Sequence, residues 1–398
     1  MEALLKHSAR IGQLQQVLQY RGLAGAILFY SRDIFYYTGT AQPAYLVVLP
    51  HEHRLFVRRG FEFARRECGL EAERMEAESS IHRICQEMFP GPGAGEKVGT
   101  ELDLFPVAQS RILSSALGER ELVDVSSDIL EQRMIKDPEE IESIRKACAV
   151  VHAGHLAAVA CLKAGMSELE LAAHVENAQR LAGHEGIFFM RQPDFVMSRG
   201  PVASGPNLRR TSGTIYTITG VGLGSAVPAG PSQRRMEQGD LVMVDIPACV
   251  DGYHADQSRM YAVGRIAQEA LDLFHRLREV SDFLIEAISP GMTTGEAFAL
   301  TEARASELGL GQAFMGFESQ ANAHFVGHGI GLEVNEPPLI SRDGDVRLRP
   351  GMVLAVEMHV MVPGGLTVKL EDTVHLTHEG VQILTLSPRE LISVRPLQ

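Results

Sequence analysis

No apolar run in this 398-residue chain approaches the ~18 residues that a membrane span needs, so a transmembrane helix is excluded. The opening MEALLKHSARIGQLQQ lacks the charged-then-apolar order of a secretory signal. Basic residues are also short. With 37 Lys+Arg against 50 Asp+Glu the formal charge is −13, which argues against a nucleic-acid or anionic-membrane partner, since both need a concentrated basic surface. The five cysteines (68, 85, 148, 161, 249) contain no CxxC pair and fit free thiols in a reducing, cytoplasmic compartment. No HExxH helix exists to support a zincin. The glycine clusters Gly220–Gly224 and Gly327–Gly331 do not follow a strand and open a helix, as a dinucleotide site requires. What is present is globular: 45% hydrophobic and 22% charged residues, enough for two domains each with its own core.

The first part of the chain mixes helical and strand signals. Ile11, Leu14 and Leu18 repeat at helical spacing before Gly22, and Gly25–Tyr30 has buried-strand length. Tyr45–Leu49 and Leu55–Val57 read as strands around a polar turn, and Gly91–Gly95 as a loop. The spacing predicts a small α/β domain over residues 1–132, with no catalytic constellation. Asp137-Pro138-Glu139-Glu140 then opens a helix with a capping Asp, a first-turn Pro and acids suited to the helix dipole.

Residues 133–398 form a second unit because two patterns recur there in the same order. Gly165-Met166-Ser167-Glu168-Leu169-Glu170 is echoed by Gly291-Met292-Thr293-Thr294-Gly295-Glu296, each a capping box. Gly239–Asp245 is echoed by Gly351–Glu357, each a turn and an apolar strand ending in a carboxylate. The first pair lies 126 positions apart and the second 112, so the first half carries about 14 extra residues, expected within Gly200–Gly230.

Those carboxylates carry the chemistry. Asp251-Gly252 signals a hairpin turn between Asp245 and Asp256, and a two-residue turn puts both acids on one face. Glu357 and Glu371 flank Val362–Leu366, where a three-residue loop on Pro363–Gly365 does the same. Four acids aimed at one place cannot all stay ionised in a partly buried site without a cation. Oxygen-rich ligation with one imidazole suits Mn²⁺, Co²⁺ or Zn²⁺. His328, between Gly327, Gly329 and Gly331, is the candidate imidazole, its glycines permitting close backbone approach. Taken singly, each of these residues is more simply a turn or loop residue; the set is what points to metal.

The series Asp245, Asp256, His328, Glu357, Glu371 resembles the ligand set of the M24 metallopeptidases, the pita-bread family of methionine aminopeptidases, Xaa-Pro aminopeptidases and prolidases. The phrases Gly327-His328-Gly329-Ile330-Gly331, Pro350-Gly351-Met352-Val353 and Leu370-Glu371-Asp372 carry the likeness, and Arg133–Ile141 is similar to the domain junction of the prolidase and creatinase branch. The resemblance implies an N-terminal α/β domain followed by an α+β pita-bread domain with internal pseudo-two-fold duplication, commonly as a homodimer. It implies two divalent ions (Mn, Co or Zn), with Asp245 on one, Asp256 and Glu371 bridging, and His328 and Glu357 on the other. Glu357 would accept a proton from the bridging hydroxide's parent water, and His324 would line the substrate site. The implied reaction is exopeptidase cleavage, at an Xaa-Pro N-terminus or dipeptide.

Two positions depart from the pattern. Ala229 stands where the family has a histidine in a Pro-His-Gly segment, and Asn335 stands where it has one in Val-His-Glu. Asn335 can donate a hydrogen bond but cannot shuttle protons, and Ala229 can do neither. Pro247 stands at a position usually glycine. Two alternatives follow: a non-peptidase hydrolase of another amide or C–N bond, or a non-catalytic binding module, the latter disfavoured by the full ligand set.

Overall fold

Short runs of Ala, Ile, Leu and Val alternate with helices through the first third of the chain and build a mixed sheet there. The computed structural model describes residues 2–195, 199–213, 217–318 and 322–394. The chain divides into two units, Met1–Arg133 and Met134–Gln398.

In the first unit the strands are β1 (Gly25–Leu28), β2 (Ala44–Val48), β3 (His53–Val57), β4 (Met75–Ala77), β5 (Lys97–Thr100) and β6 (Glu121–Asp124), in the order β4-β3-β2-β1-β5-β6. β1, β2 and β3 pair antiparallel and the outer neighbours parallel. Helices α1 (Glu2–Tyr20), α2 (Ser31–Thr38), α3 (Phe61–Glu67), α4 (Ile81–Met88), α5 (Val107–Leu117) and α6 (Ser126–Met134) accompany the sheet. Its apolar face, Ile27, Val47, Phe56 and Val98, packs on Ile84, Leu113 and Leu117 of α4 and α5. The two-strand expectation at residues 45–57 matches β2 and β3. No group of three metal-ligating side chains meets in this unit among the described residues.

The second unit opens with α7 (Pro138–Cys161), whose Asp137 cap and Glu140 close a reciprocal capping box. It continues with α8 (Glu168–Leu181), β7 (Val202–Ser204), β8 (Leu241–Asp245), β9 (Ala248–Val250), β10 (Tyr253–Ala255) and β11 (Ser258–Val263). Then follow α9 (Gln268–Ala287), α10 (Thr294–Glu307), β12 (Phe325–Gly329), β13 (Glu336–Ser341), β14 (Val353–Met361), β15 (Thr367–Leu376), β16 (Val381–Ile383) and β17 (Ile392–Val394). One sheet runs β17-β11-β8-β7 and the other β13-β12-β14-β15-β16, with β9 and β10 forming a separate ribbon.

The duplication is visible in matching contacts. Both α8 and α10 start in capping boxes, on Ser167–Glu170 and Thr293–Glu296. Gly165 N donates to Met236 O, and Gly291 N to Leu348 O, both at 2.8 Å. Arg235 Nη1 reaches Gly165 O as Arg347 Nη1 reaches Gly291 O. Gly239 and Gly351 both hold left-handed backbone, at φ 93 and 91°, before β8 and β14, a conformation that glycine adopts without a Cβ penalty. The extra length of the first half falls between α8 and β8, in largely irregular chain. Residues 214–216 of that expected insertion lie outside the described residues. The large core joins both halves: Met243 and Met260 of one sheet, Leu354, Val356 and Leu370 of the other, and Leu277 and Leu284 of α9 are all fully buried.

Candidate metal centre

The two carboxylate hairpins form as the spacing predicted. Glu357 and Glu371 are direct partners across β14 and β15, and Val362 N bonds Leu366 O to close a loop on residues 363–365. Asp245 instead pairs with Ser258 across β8 and β11, which leaves Asp256 diagonal to it on the same face. The ladder between them breaks at Ile246-Pro247 and Asp256-Gln257, where Gln179 takes the Ile246 carbonyl and Thr373 the backbone of Asp256, and resumes in β9 and β10 around Asp251-Gly252.

Arg259 ties the halves together at this level. Its guanidinium is buried and donates to the carbonyls of Ser258 and Glu371, and it pairs with Asp372 Oδ1 at 2.5 Å. Burial pushes the Asp372 carboxyl up, but Arg259 and Arg389 outweigh it and hold it below the usual range. Ser258 Oγ donates to Glu371 Oε2 at 2.8 Å. Thr373 Oγ1 accepts from Asp256 N and donates to Asp256 O. Strand β15 therefore fixes the loop that carries Asp256.

His328 sits in β12 beside β14. Its Nδ1 lies 2.9 Å from Gly329 O, a group that can only accept, so Nδ1 donates there and Nε2 is the nitrogen turned to the acids. Nε2 faces Glu357 Oε1 at 3.6 Å and Glu371 Oε1 at 4.0 Å. The flanking glycines are needed sterically: a Cβ on Gly327 would lie 2.7 Å from Ala355 O, on Gly329 2.2 Å from Pro337 O, and on Gly331 2.8 Å from Glu336 Oε2.

Donor atoms of Asp256, His328 and Glu371 all lie within 4.8 Å of one another, and all three residues are buried. Carboxylate oxygens with one imidazole nitrogen suit a hard-to-borderline divalent ion, so the donors fit a metal. Asp245 and Glu357 face Lys369, whose Nζ is 2.6 Å from Asp245 Oδ2, 2.9 Å from Glu357 Oε2 and 3.5 Å from Glu371 Oε2. Burial drives the Asp256 and Glu371 carboxyls well above the usual range, each also raised by the other acids. Glu357 goes the other way: burial raises it, but Lys369 and His328 outweigh burial and keep it low. Such a cluster takes up protons or a cation; it does not stay fully ionised alone.

The comparisons with known proteins agree with the donor chemistry. Residues 142–378 match the model of Metallopeptidase family M24, and residues 10–135 match the Creatinase/Prolidase N-terminal domain. The chain belongs to metallopeptidase family M24. It is 30% identical to a Xaa-Pro dipeptidase of Pyrococcus furiosus over 366 residues, covering 90% of this chain and 92% of that one. Its structure is similar to a Xaa-Pro dipeptidase from Bacillus anthracis, with TM-score 0.81 and 27% identity over 97% of this chain and 99% of that one. An X-Pro aminopeptidase from Thermotoga maritima shares the fold at TM-score 0.78 and 24% identity, over 96% of this chain and 99% of that one. The chain is thus a metallopeptidase with the creatinase-type N-terminal domain and the pita-bread catalytic domain. No helix is long and apolar enough to cross a membrane among the described residues.

In this M24 chain the centre forms the floor of a cavity of about 640 Å³. Phe188, Phe195, Pro247, Val334 and Leu339 give it an apolar wall, and His324 and Asn335 also line it. His324 is exposed in the loop before β12, with its carbonyl bonded to Arg342 N. Ala229 is fully buried and is not among the lining residues, whereas Asn335 is exposed and is one of them. The five expected ligands and Lys369 converge on this floor. Ser258 and Arg259 belong to the phrase Asp256-Gln257-Ser258-Arg259 after the turn, whereas Lys369 and Thr217 are site residues that motif spacing missed. Only Lys369 left a signal, two positions before Glu371 and hence on the same strand face.

Proposed function

We propose that this chain is an exopeptidase that cleaves Xaa-Pro bonds, at a peptide N-terminus or in a dipeptide, with two divalent ions of the Mn²⁺, Co²⁺ or Zn²⁺ type. The converging donors of Asp256, His328 and Glu371 are the observation that carries this reading. His328 and Glu357 would hold one ion, Asp245 the other, with Asp256 and Glu371 shared between them. Bound there, such ions supply Lewis acidity toward the scissile carbonyl and make water acidic enough to be a nucleophile near neutral pH. The protein's own groups do the rest. Glu357 stays ionised beside Lys369 and His328 and is the group suited to accept a proton. Ser258 orients Glu371, and Gly329 O fixes the His328 tautomer. The apolar wall receives the substrate's side chains and excludes water, and His324 at the rim orients the substrate. Residues 1–132 serve as the accessory α/β domain and 133–398 as the catalytic one, and the protein works as a cytoplasmic homodimer.

The test is hydrolysis of Xaa-Pro dipeptides and longer Xaa-Pro peptides by chelator-stripped protein with Mn²⁺ or Co²⁺ restored. Turnover should require the metal, and D256N should lose more than about a hundredfold, beyond the 10–100-fold typical of an outer-shell partner. A metal-dependent hit only on a non-peptide amide would replace the peptide substrate; Asn335 in the cavity is the observation that favours including such amides.

A further inference from the structure

Lys369 projects from β15, opposite His359 and two residues before Glu371. Its side chain is 2% exposed, and its polar partners among the described residues are site residues. Nζ donates to Asp245 Oδ2 at 2.6 Å and to Thr217 Oγ1 at 2.8 Å. It also pairs with Glu357 Oε2 at 2.9 Å and lies 3.5 Å from Glu371 Oε2. One ammonium thus bridges carboxylates contributed by β8, β14 and β15, from both halves of the duplication.

A lysine ammonium is a compact point charge with three donors, unlike the planar fork of arginine. Placed among three carboxylates it does electrostatically part of what a divalent ion does: it cancels repulsion and draws oxygens of Asp245, Glu357 and Glu371 toward one point. The same oxygens are the proposed ligands. An ion arriving on the Asp245 side meets a like charge already there, in a buried place where solvent screens little.

We propose that Lys369 is a resident counter-cation of the metal centre: it holds Asp245, Glu357 and Glu371 in liganding arrangement before loading, and it competes with the incoming ion for them. This rests on the metal-centre reading above and assigns a positioning role, not a catalytic one. The ammonium makes the stripped protein more stable and its ion affinity lower than the carboxylates alone would give.

The experiment compares wild type, K369M and K369R after chelator treatment, by thermal melting and by calorimetric titration with Mn²⁺. Stripped K369M should melt at least about 5 °C below stripped wild type, because a buried charge cluster has lost its partner. Mn²⁺ should raise K369M more than wild type, and K369M should bind Mn²⁺ tighter by a factor in the range of about 5–150, the usual span of coupling between neighbouring sites. K369R keeps a positive charge beside the same acids and should bind Mn²⁺ more weakly than K369M. A merely structural lysine would give the opposite sign, with K369M binding Mn²⁺ more weakly, and that result overturns the proposal. Equal melting of stripped K369M and wild type also overturns it. Should K369M not fold without metal, K369Q refolded in the presence and absence of Mn²⁺ decides: folding rescued by Mn²⁺ supports the proposal, and failure in both overturns it. No Mn²⁺ binding by any of the proteins, wild type included, would overturn the metal-centre reading itself.

Discussion

Ser258 shows how much of the centre is set by groups that would touch no ion. Its hydroxyl donates to Glu371 Oε2, and its carbonyl, like that of Glu371, is held by Arg259. Removing that hydroxyl takes an orienting hydrogen bond from Glu371, so S258A should lose about 10–100-fold in metal affinity or turnover, the range for such orienting partners. Isothermal titration with Mn²⁺ and steady-state rates read this directly. At this scale the sequence disclosed the donors but not their supports. Asp245, Asp256, Glu357 and Glu371 stood out because each lies a countable distance from a turn, and His328 because glycines surround it. Lys369 left no signal beyond sharing a strand face with Glu371, since a lone lysine in an apolar strand has no motif. Its meaning comes from Asp245, 124 positions away in the chain. Thr217 was silent, being a small polar residue whose partners Glu357 and Lys369 come from distant strands.

Among the elements, the capping boxes and strand-plus-carboxylate repeats were legible because local chemistry determines them. The chain between α8 and β8 was not, since its few regular stretches are held by side chains at long range. Glu168, for instance, is buried and accepts from Ser204, Asn207 and Ser232. The glycine-flanked strand β12 gives a sharp prediction. In G329A the new methyl group meets backbone at Pro337 O and C, which cannot rotate away as a side chain would. The variant should lose about 1–3 kcal/mol in urea denaturation, the usual scale of overpacking, and should displace His328. Helix α7 gives a second. His155 Nδ1 bonds Tyr261 Oη of β11 at 2.8 Å, and its pKa falls to about 4, through burial first and then the charges of His152 and Arg259. A histidine lowered from 6.5 to about 4 is neutral in the folded chain while the unfolded chain takes a proton in that window. Stability from this group is complete above pH 6.5 and lost as the pH falls toward 4. H155Q should therefore flatten the fall in unfolding free energy between pH 7.5 and 4.5 by about 1–3 kcal/mol relative to wild type.

For the molecule as a whole, the excess of acid is partly functional. Of the surplus that gives −13, four carboxylates are gathered on one cavity floor against a single lysine, where burial makes full ionisation costly. That imbalance needs cations, and the M24 fold with its two facing halves is what brings the acids together. The two-unit organisation and the duplicated catalytic domain could be read ahead of the structure because the repeats occur twice in the same order. The apolar wall of Phe188, Phe195, Val334 and Leu339 could not, because these residues lie on irregular segments or strands whose facing is set only by the assembled domain. The identity of the substrate rests on that wall and on Asn335, while the chemistry rests on the floor. The floor is tested most directly by an anomalous-difference map from crystals loaded with Mn²⁺. The map should show manganese density among Asp256, His328, Glu357 and Glu371; density only elsewhere, with this floor empty at saturating Mn²⁺, would contradict the assignment.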